Sequence, residues 1–471
     1  MGGRLIERTG WPLRHPQYWG GTMVRRERSR VAAIAIALGA GFAASCAVSA
    51  FAQAPVVLAP PATGQVKTLP DSPVVDVSET AGSTKTRPAF RLLPQFVPGS
   101  EDWVRPYADV LDNEYNKWLA FKKSIDDQYK LSFGIDYSFY PQWGTKSNPV
   151  YANVYYPSAS WKPFTNTAWG SGEINLVTSH QAYFSNQNTS SQAGKLGLIT
   201  FANDWTRDNF AWSTVAYTHT MPGQFNALSF TIGQYNLFSF DPNEYAANAQ
   251  TSFISYSFAQ TATQVFPNAG FGGYLKLKIP NGQFNFAAGL QGATDLNGGI
   301  LTTQGWQKGQ LVKWGNAQWT PTIPGLGDGI YSILLYEQPF VPFVSSRSTG
   351  VSLSISQDLT ERYGAFLRVN NATGPDIPIR TSYAAGAVWN NPIRRNKNDQ
   401  VGLALGYNKT NQEFVGGPGA RSGEWVTELF YKATIFKGMH ITPDVQVFWS
   451  PALAPASGPV AVFTVRTTVT F

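Results

Sequence analysis

From Leu131 to the carboxyl terminus, apolar and polar positions alternate with period two. Leu131, Phe133, Ile135, Tyr137 and Phe139 interleave with Ser132, Gly134, Asp136 and Ser138. Phe284, Phe286, Ala288 and Leu290 oppose Asn285, Ala287, Gly289 and Gln291, after a run from Tyr274 to Ile279 and a Pro280-Asn281-Gly282 turn. Val351, Leu353 and Ile355 alternate with serines, and Tyr363, Ala365, Leu367 and Val369 follow with the same beat. Val401, Leu403, Leu405 and Tyr407, then Trp425, Thr427, Leu429, Tyr431 and Ala433, repeat it. Successive side chains of a strand point to opposite faces, so each run predicts a strand with one apolar and one polar face. The runs are about 8–11 residues long, the length of a tilted strand that crosses a bilayer. Tyr140, Trp143, Tyr336, Tyr363, Trp389, Tyr407, Trp425 and Trp449 sit at run ends, where interfacial aromatic girdles belong.

The period is helical only over Pro106–Tyr129, where Leu111, Tyr115, Trp118, Leu119 and Ile125 recur on one side. We expect a small packing helix there. Residues 53–100 are rich in Pro, Val, Thr and Ser without periodicity and read as a flexible linker. Upstream, Arg25, Arg26, Arg28 and Arg30 precede an apolar run from Val31 to Val48 that closes on Ala50-Phe51-Ala52. A basic cluster, an apolar stretch and a small-x-small end predict a signal peptide over 1–52, with Met23 a second candidate start. The expected division is therefore a leader (1–52), a periplasmic linker plus helix (53–130) and a barrel (131–471).

Composition agrees with this picture and narrows it. Charged residues are 14% and aromatics 14% of the 471 positions, whereas soluble domains carry about 25% charged residues. The leader holds seven Arg and two Glu, so the net charge of +7 falls to +2 once it is removed. Nucleic-acid binding therefore has no electrostatic support. The one Cys, Cys46, lies in the leader, which excludes disulfides and thiolate metal sites from the mature chain. His180, His219 and His440 lie in separate strand-like runs without metal-ligand spacing, and no G-x-S-x-G elbow is present. No catalytic residue, metal or cofactor is expected.

A sheet can cross lipid with every backbone group paired only by closing on itself. The expected fold class is thus all-β, a transmembrane antiparallel β-barrel of about 16 strands, with 18 also compatible with the length. Such a barrel is wide enough for an aqueous channel. The last strand, Val460 to Phe471, places Phe463, Val465 and Val469 opposite Thr464, Arg466, Thr468 and Thr470 and ends on an aromatic.

Three carboxyl-terminal stretches, Glu428–Tyr431, His440–Gln446 and Phe463–Phe471, resemble the carbohydrate-selective porin family of the OprB type. Gly233-Gln234-Tyr235-Asn236 through Ala246-Ala247, and Phe266-Pro267-Asn268-Ala269-Gly270 leading to Tyr274 and Leu277, also resemble its mid-barrel region. The family's Trp-Gly-Gly-x-Arg opening is replaced here by Asn116-Lys117-Trp118-Leu119 within the expected helix. The resemblance implies passive diffusion of small sugars through a water-filled pore in the outer membrane of a Gram-negative bacterium. It also implies contact with outer-membrane lipid and lipopolysaccharide, and recognition of Phe471 by the barrel-assembly machinery. Homo-oligomerisation is left open. General or organic-anion porins, and structural or hydrolytic barrels, remain the alternative readings. On the water-facing parity the pore-lining candidates are Lys276, Lys278, Arg368, Glu428, Lys432, Asp444, Gln446 and Arg466. Glu428, Asp444 and Arg466 rank first because they fall on the matching motifs, and a structural cluster is the competing role for them.

Overall fold

A computed structural model describes residues 105–206, 209–263, 269–279, 283–293, 299–341, 347–415 and 419–471. The expected leader, the 53–100 linker, the Pro280-Asn281-Gly282 turn and Phe266-Pro267-Asn268 lie outside these residues.

The chain enters through α1 (Arg105–Tyr129), one residue longer than the periodicity implied. Strands then follow without interruption by any long helix: β1 (Leu131–Gly144), β2 (Val150–Thr167), β3 (Gly170–Tyr183), β4 (Asn209–Thr220), β5 (Leu228–Tyr235) and β6 (Gly270–Lys278). Next come β7 (Phe284–Gly292), β8 (Leu311–Trp319), the two-residue β9 (Thr322–Ile323), β10 (Gly327–Gln338), β11 (Ser348–Asp358) and β12 (Tyr363–Thr373). The last are β13 (Ile379–Asn390), β14 (Gln400–Thr410), β15 (Gly423–Phe436), β16 (Met439–Phe448) and β17 (Val460–Thr470). Each long strand pairs antiparallel with its neighbours, and β9 only extends the β8–β10 hairpin. Setting β9 aside, 17 strands become a 16-strand wall.

The wall closes between first and last strands, with Asp136 opposite Thr470 and Gly144 opposite Val462. Phe471 extends the seam: its N–H donates to Ile135 O at 2.9 Å, and its carbonyl accepts from Ile135 N at 3.1 Å. Closure leaves no open edge, the condition for a sheet in hydrocarbon. Strands of the early wall are longer than expected, up to 18 residues in β2.

Outward positions are the apolar ones. Leu275, Leu335, Leu353, Leu367, Leu403, Leu429 and Phe463 are exposed on the outer surface, while their strand neighbours Ser354, Arg368 and Glu428 are buried inside. At the rim carrying the short turns, Phe284 stacks on Trp319 (5.8 Å between centroids) and Tyr363 on Trp389 (6.0 Å). At the rim carrying the long loops, Tyr407 pairs with Trp425 at 4.8 Å. Two residues expected in these girdles do not belong there. Tyr140 and Tyr336 point inward and are buried, at 0% and 3% exposure, because each falls on the lumen parity of its strand.

At the turn rim α1 lies across the seam. Lys122 Nζ donates to Phe471 O at 3.0 Å, and Lys437 N–H donates to Asp112 Oδ1 at 2.6 Å. Tyr115 packs on Phe436 and Trp118 on Phe133. The helix thus uses the stripe read from its periodicity, apart from Leu111, which is 42% exposed.

Candidate functional site

Two long connections at the loop rim fold down into the barrel. The first spans 184–206, carries α2 (Thr189–Leu196) and joins β3 to β4. The second, 236–263, follows β5 and carries α3 (Tyr256–Ala259). Connections longer than about 12–15 residues without strands of their own are usually functional. A backbone taken into a barrel must find partners for its N–H and C=O groups, and the inward-facing wall residues supply them.

The serines of β11 form a rail for the second segment. Ser352 Oγ donates to Asp241 Oδ1 at 2.9 Å, Ser354 Oγ to Pro242 O at 2.8 Å, and Glu244 N–H donates to Ser356 Oγ at 3.1 Å. Tyr245 completes the rail by donating to Asp358. Arg368 on β12 donates through Nη1 to Phe258 O at 2.8 Å and through Nη2 to Asp241 O at 3.2 Å, with Nε 3.6 Å from the Asp241 carboxylate. On β17, Arg466 donates to Ala249 O at 2.5 Å and Ser252 O at 2.7 Å. Glu428 accepts from Ile254 N–H at 2.6 Å and Ser255 N–H at 2.9 Å. Gln446 Nε2 donates to Ala202 O at 2.8 Å and to Asp444 Oδ1 at 3.2 Å, tying in the first segment. Phe253 fills the space between them, 4.9 Å from Phe430 and 5.3 Å from Phe366.

The structure therefore divides the candidates read from the sequence. All eight face inward, as parity required. Glu428, Arg466, Gln446, Arg368 and Asp444 are buried beneath the inserted segments, at 6% exposure or less. Glu428, Arg466, Arg368 and Gln446 hold backbone of the inserted segments, whereas Asp444 meets the Gln446 side chain. Lys432 is half-buried, and Lys276 and Lys278 on β6 keep solvent access. The inward face of β2–β7 has a different character from that of β10–β17. Ser158, Lys162, Glu173, Thr218, Ser229, Tyr274, Lys276 and Asn285 are only partly covered, and Lys278 is exposed. Lys162, Lys276 and Lys278 make no ion pair among the described residues.

Sequence reasoning missed Glu424, Asp241 and Asp204. Glu424 accepts from Ile199 N–H at 3.0 Å, Thr200 Oγ1 at 2.9 Å and Ala452 N–H at 3.1 Å, joining the first segment to the 449–459 loop. It shares the strand parity of Glu428, so the same rule would have found it. Asp241 and Asp204 sit in connections where no periodicity marks a face. Asp204 accepts from Gln260 Nε2 at 2.9 Å, and its N–H donates to Ile254 O at 3.1 Å. Burial pushes its carboxyl up to about 6, against the opposing pull of the Gln260 hydrogen bond and the Arg368 charge. His180, His219 and His440 lie apart, on β3, β4 and β16. Among the described residues there is no group of three or more His, Cys, Asp or Glu that could hold a metal.

Comparison with known proteins places this architecture. The model of the carbohydrate-selective porin, OprB family, matches residues 337–471. Porin AaxA of Chlamydia felis (strain Fe/C-56) is 32% identical over 381 residues, 77% of this chain and 84% of that protein. Porin AaxA of Chlamydia pneumoniae is 30% identical over 345 residues, 70% of this chain and 77% of that one. Among solved structures, the high-pH form of OprB from Pseudomonas putida superposes with a TM-score of 0.63 at 14% identity. That superposition covers 75% of this chain and 97% of that one, and at such identity it speaks for the fold alone.

Proposed function

The chain belongs to the carbohydrate-selective porin family and is an outer-membrane porin; from that premise we propose that it admits small sugars by passive diffusion along the β2–β7 side of its lumen. The observation that carries the reading is the asymmetry of the barrel interior. Inserted segments are hydrogen-bonded onto β10–β17, while the opposite wall presents hydroxyl, amide and lysine side chains that stay partly uncovered. A wall of that kind offers a sugar replacement hydrogen bonds weak enough for release. Of the pore-lining candidates, Lys276 and Lys278 border this path in our reading, and Lys432 stands nearest the inserted segments. Glu428, Arg466, Arg368 and Gln446 act by fixing the segments that narrow it, and Asp444 acts through Gln446.

The short turns then face the periplasm, as in bacterial outer-membrane barrels, and α1 with them. We further propose that residues 1–52 are removed on export and that 53–104 lead from the leader to α1. Phe471 is the recognition end for the assembly machinery, and the outer girdles meet lipid and lipopolysaccharide. Self-association of the barrels is an additional proposal, testable by crosslinking in membranes.

Liposome swelling with residues 53–471 tests the central reading. Sugars should enter faster than size-matched amino acids and organic acids. Entry governed by size alone would make this a general porin, and no entry would sink the channel reading. One observation favours a second solute class. The unpaired Lys162, Lys276 and Lys278 would draw small organic anions, which would then outpace sugars in the same assay.

A further inference from the structure

Where the two inserted segments meet, a small polar and aromatic cluster is left partly uncovered inside the barrel. Asp204 and Phe201 come from the first segment, Tyr256 and Gln260 from the second. The Gln260 amide donates to Asp204 Oδ2 at 2.9 Å. The Phe201 and Tyr256 rings pack edge to face, 5.7 Å between centroids and 86° between planes, and Tyr256 N–H donates to Phe201 O at 3.1 Å. Tyr156 approaches from β2, its hydroxyl accepting from Trp205 Nε1 at 2.7 Å. The cluster is therefore held from three sides, by both segments and by the wall.

We propose that Asp204, Gln260, Phe201 and Tyr256 form a subsite that binds a neutral polyhydroxylated solute, such as a pyranose, in transit through the lumen. The argument is chemical. A carboxylate accepts hydrogen bonds from adjacent hydroxyls, the neighbouring amide carbonyl accepts another, and aromatic rings cover the apolar C–H face of a sugar. The backbone around these groups is anchored: Asp204 N–H donates to Ile254 O, and Glu428 accepts from the Ile254 and Ser255 N–H groups. The donors and acceptors are thus held in place before the solute arrives, which lowers the ordering cost of binding. Burial raises the Asp204 carboxyl to about 6; at neutral pH it is ionised and an acceptor only. The inference rests on the sugar-porin reading above and adds a place of contact to it.

Sugar block of ion current through single channels in planar bilayers tests both claims separately. Glucose added to one side should reduce the wild-type current with a saturating dose dependence. Gln260→Ala should raise the half-saturating glucose concentration about tenfold. Asp204→Asn, which keeps size and one acceptor, should raise it several-fold. Unchanged half-saturation in both variants, with wild-type block present, would overturn the subsite. A wild-type channel that conducts and is never blocked by glucose would overturn the sugar reading and the subsite with it. Folded barrels are verified by their heat-modifiable migration in SDS gels, and Gln260→Ala, which removes one partly exposed amide, guards against a folding failure of the Asp204 variant.

Discussion

Removing the Arg466 guanidinium should open the channel without unfolding the barrel. The side chain is fully buried, and it donates to Ala249 O at 2.5 Å and Ser252 O at 2.7 Å. Hydrogen bonds from a charged group are worth about 1.5–3 kcal/mol each, so the pair holds the second inserted segment with ~3–6 kcal/mol. Arg466 is also the cation on the β17 wall beside the buried Glu428 and Asp444, and removing one partner of a buried charge cluster costs about 3–5 kcal/mol. These two figures describe overlapping losses, and ~4 kcal/mol is a reasonable joint value. Every 1.4 kcal/mol is a factor of ten, so the undocked population of the segment rises about a thousandfold. Backbone pairing of β17 with β16 and β1 is untouched by the substitution. Arg466→Ala should therefore give a heat-modifiable, folded barrel whose single-channel conductance is larger and noisier than wild type. Arg466→Lys should lie between the two, because an ammonium keeps the charge but cannot span both carbonyls. Wild-type conductance and noise in a folded Arg466→Ala barrel would refute the claim that this residue anchors the constriction.

Three further outcomes follow from the same geometry. Replacing Lys276 and Lys278 together by Glu should move the reversal potential in a KCl gradient toward cation preference; no movement would mean these side chains do not face the conducting path. Gly197 ends α2 at φ +71° and packs against Ala454, so Gly197→Ala should cost about 1–2 kcal/mol from the left-handed backbone alone, read as a lower thermal unfolding temperature. Asp204 binds its proton more tightly when folded, about 6 against 3.8, so its contribution is fully present below pH 3.8 and is lost as pH rises through about 6. About 1.36 kcal/mol per unit makes this a loss of at most ~3 kcal/mol by neutral pH. Limited proteolysis of the 184–206 segment should thus speed up between pH 4 and 7, and Asp204→Asn should weaken that dependence, leaving the part carried by Glu424, which also holds Ile199 and Thr200; an equal dependence in the variant would assign it to other groups. The charged group on the adjoining wall is Arg368, with Tyr256 and Tyr156 beside it, and none of these is expected to change protonation in that range.

Much of the barrel was legible in the chain because strand parity is a local property. Two neighbouring residues of a strand cannot share a face, so the alternation around Leu353, Leu367, Leu405 and Leu429 already told outside from inside. The seam was legible too, since an amphipathic strand ending in Phe471 has the form of a closing strand. Run-end aromatics misled: Tyr140 and Tyr336 stand near strand ends, as girdle residues do, yet their parity turns them inward. The end-of-run criterion ignored that parity.

Tertiary structure alone decided what each inward polar group meets. Glu428 is bonded to a backbone 174 positions away, and Arg466 to one 217 positions away. A carboxylate solvated by water and one solvated by two backbone N–H groups are the same letter at the same parity. Only the descent of 184–206 and 236–263 into the lumen separates them, and that descent is set by contacts no local period records. The sequence determined that these side chains face the lumen. Folding of the connections determined that Glu428, Arg466, Arg368 and Gln446 meet the backbone of the inserted segments, while Lys276 and Lys278 keep access to water.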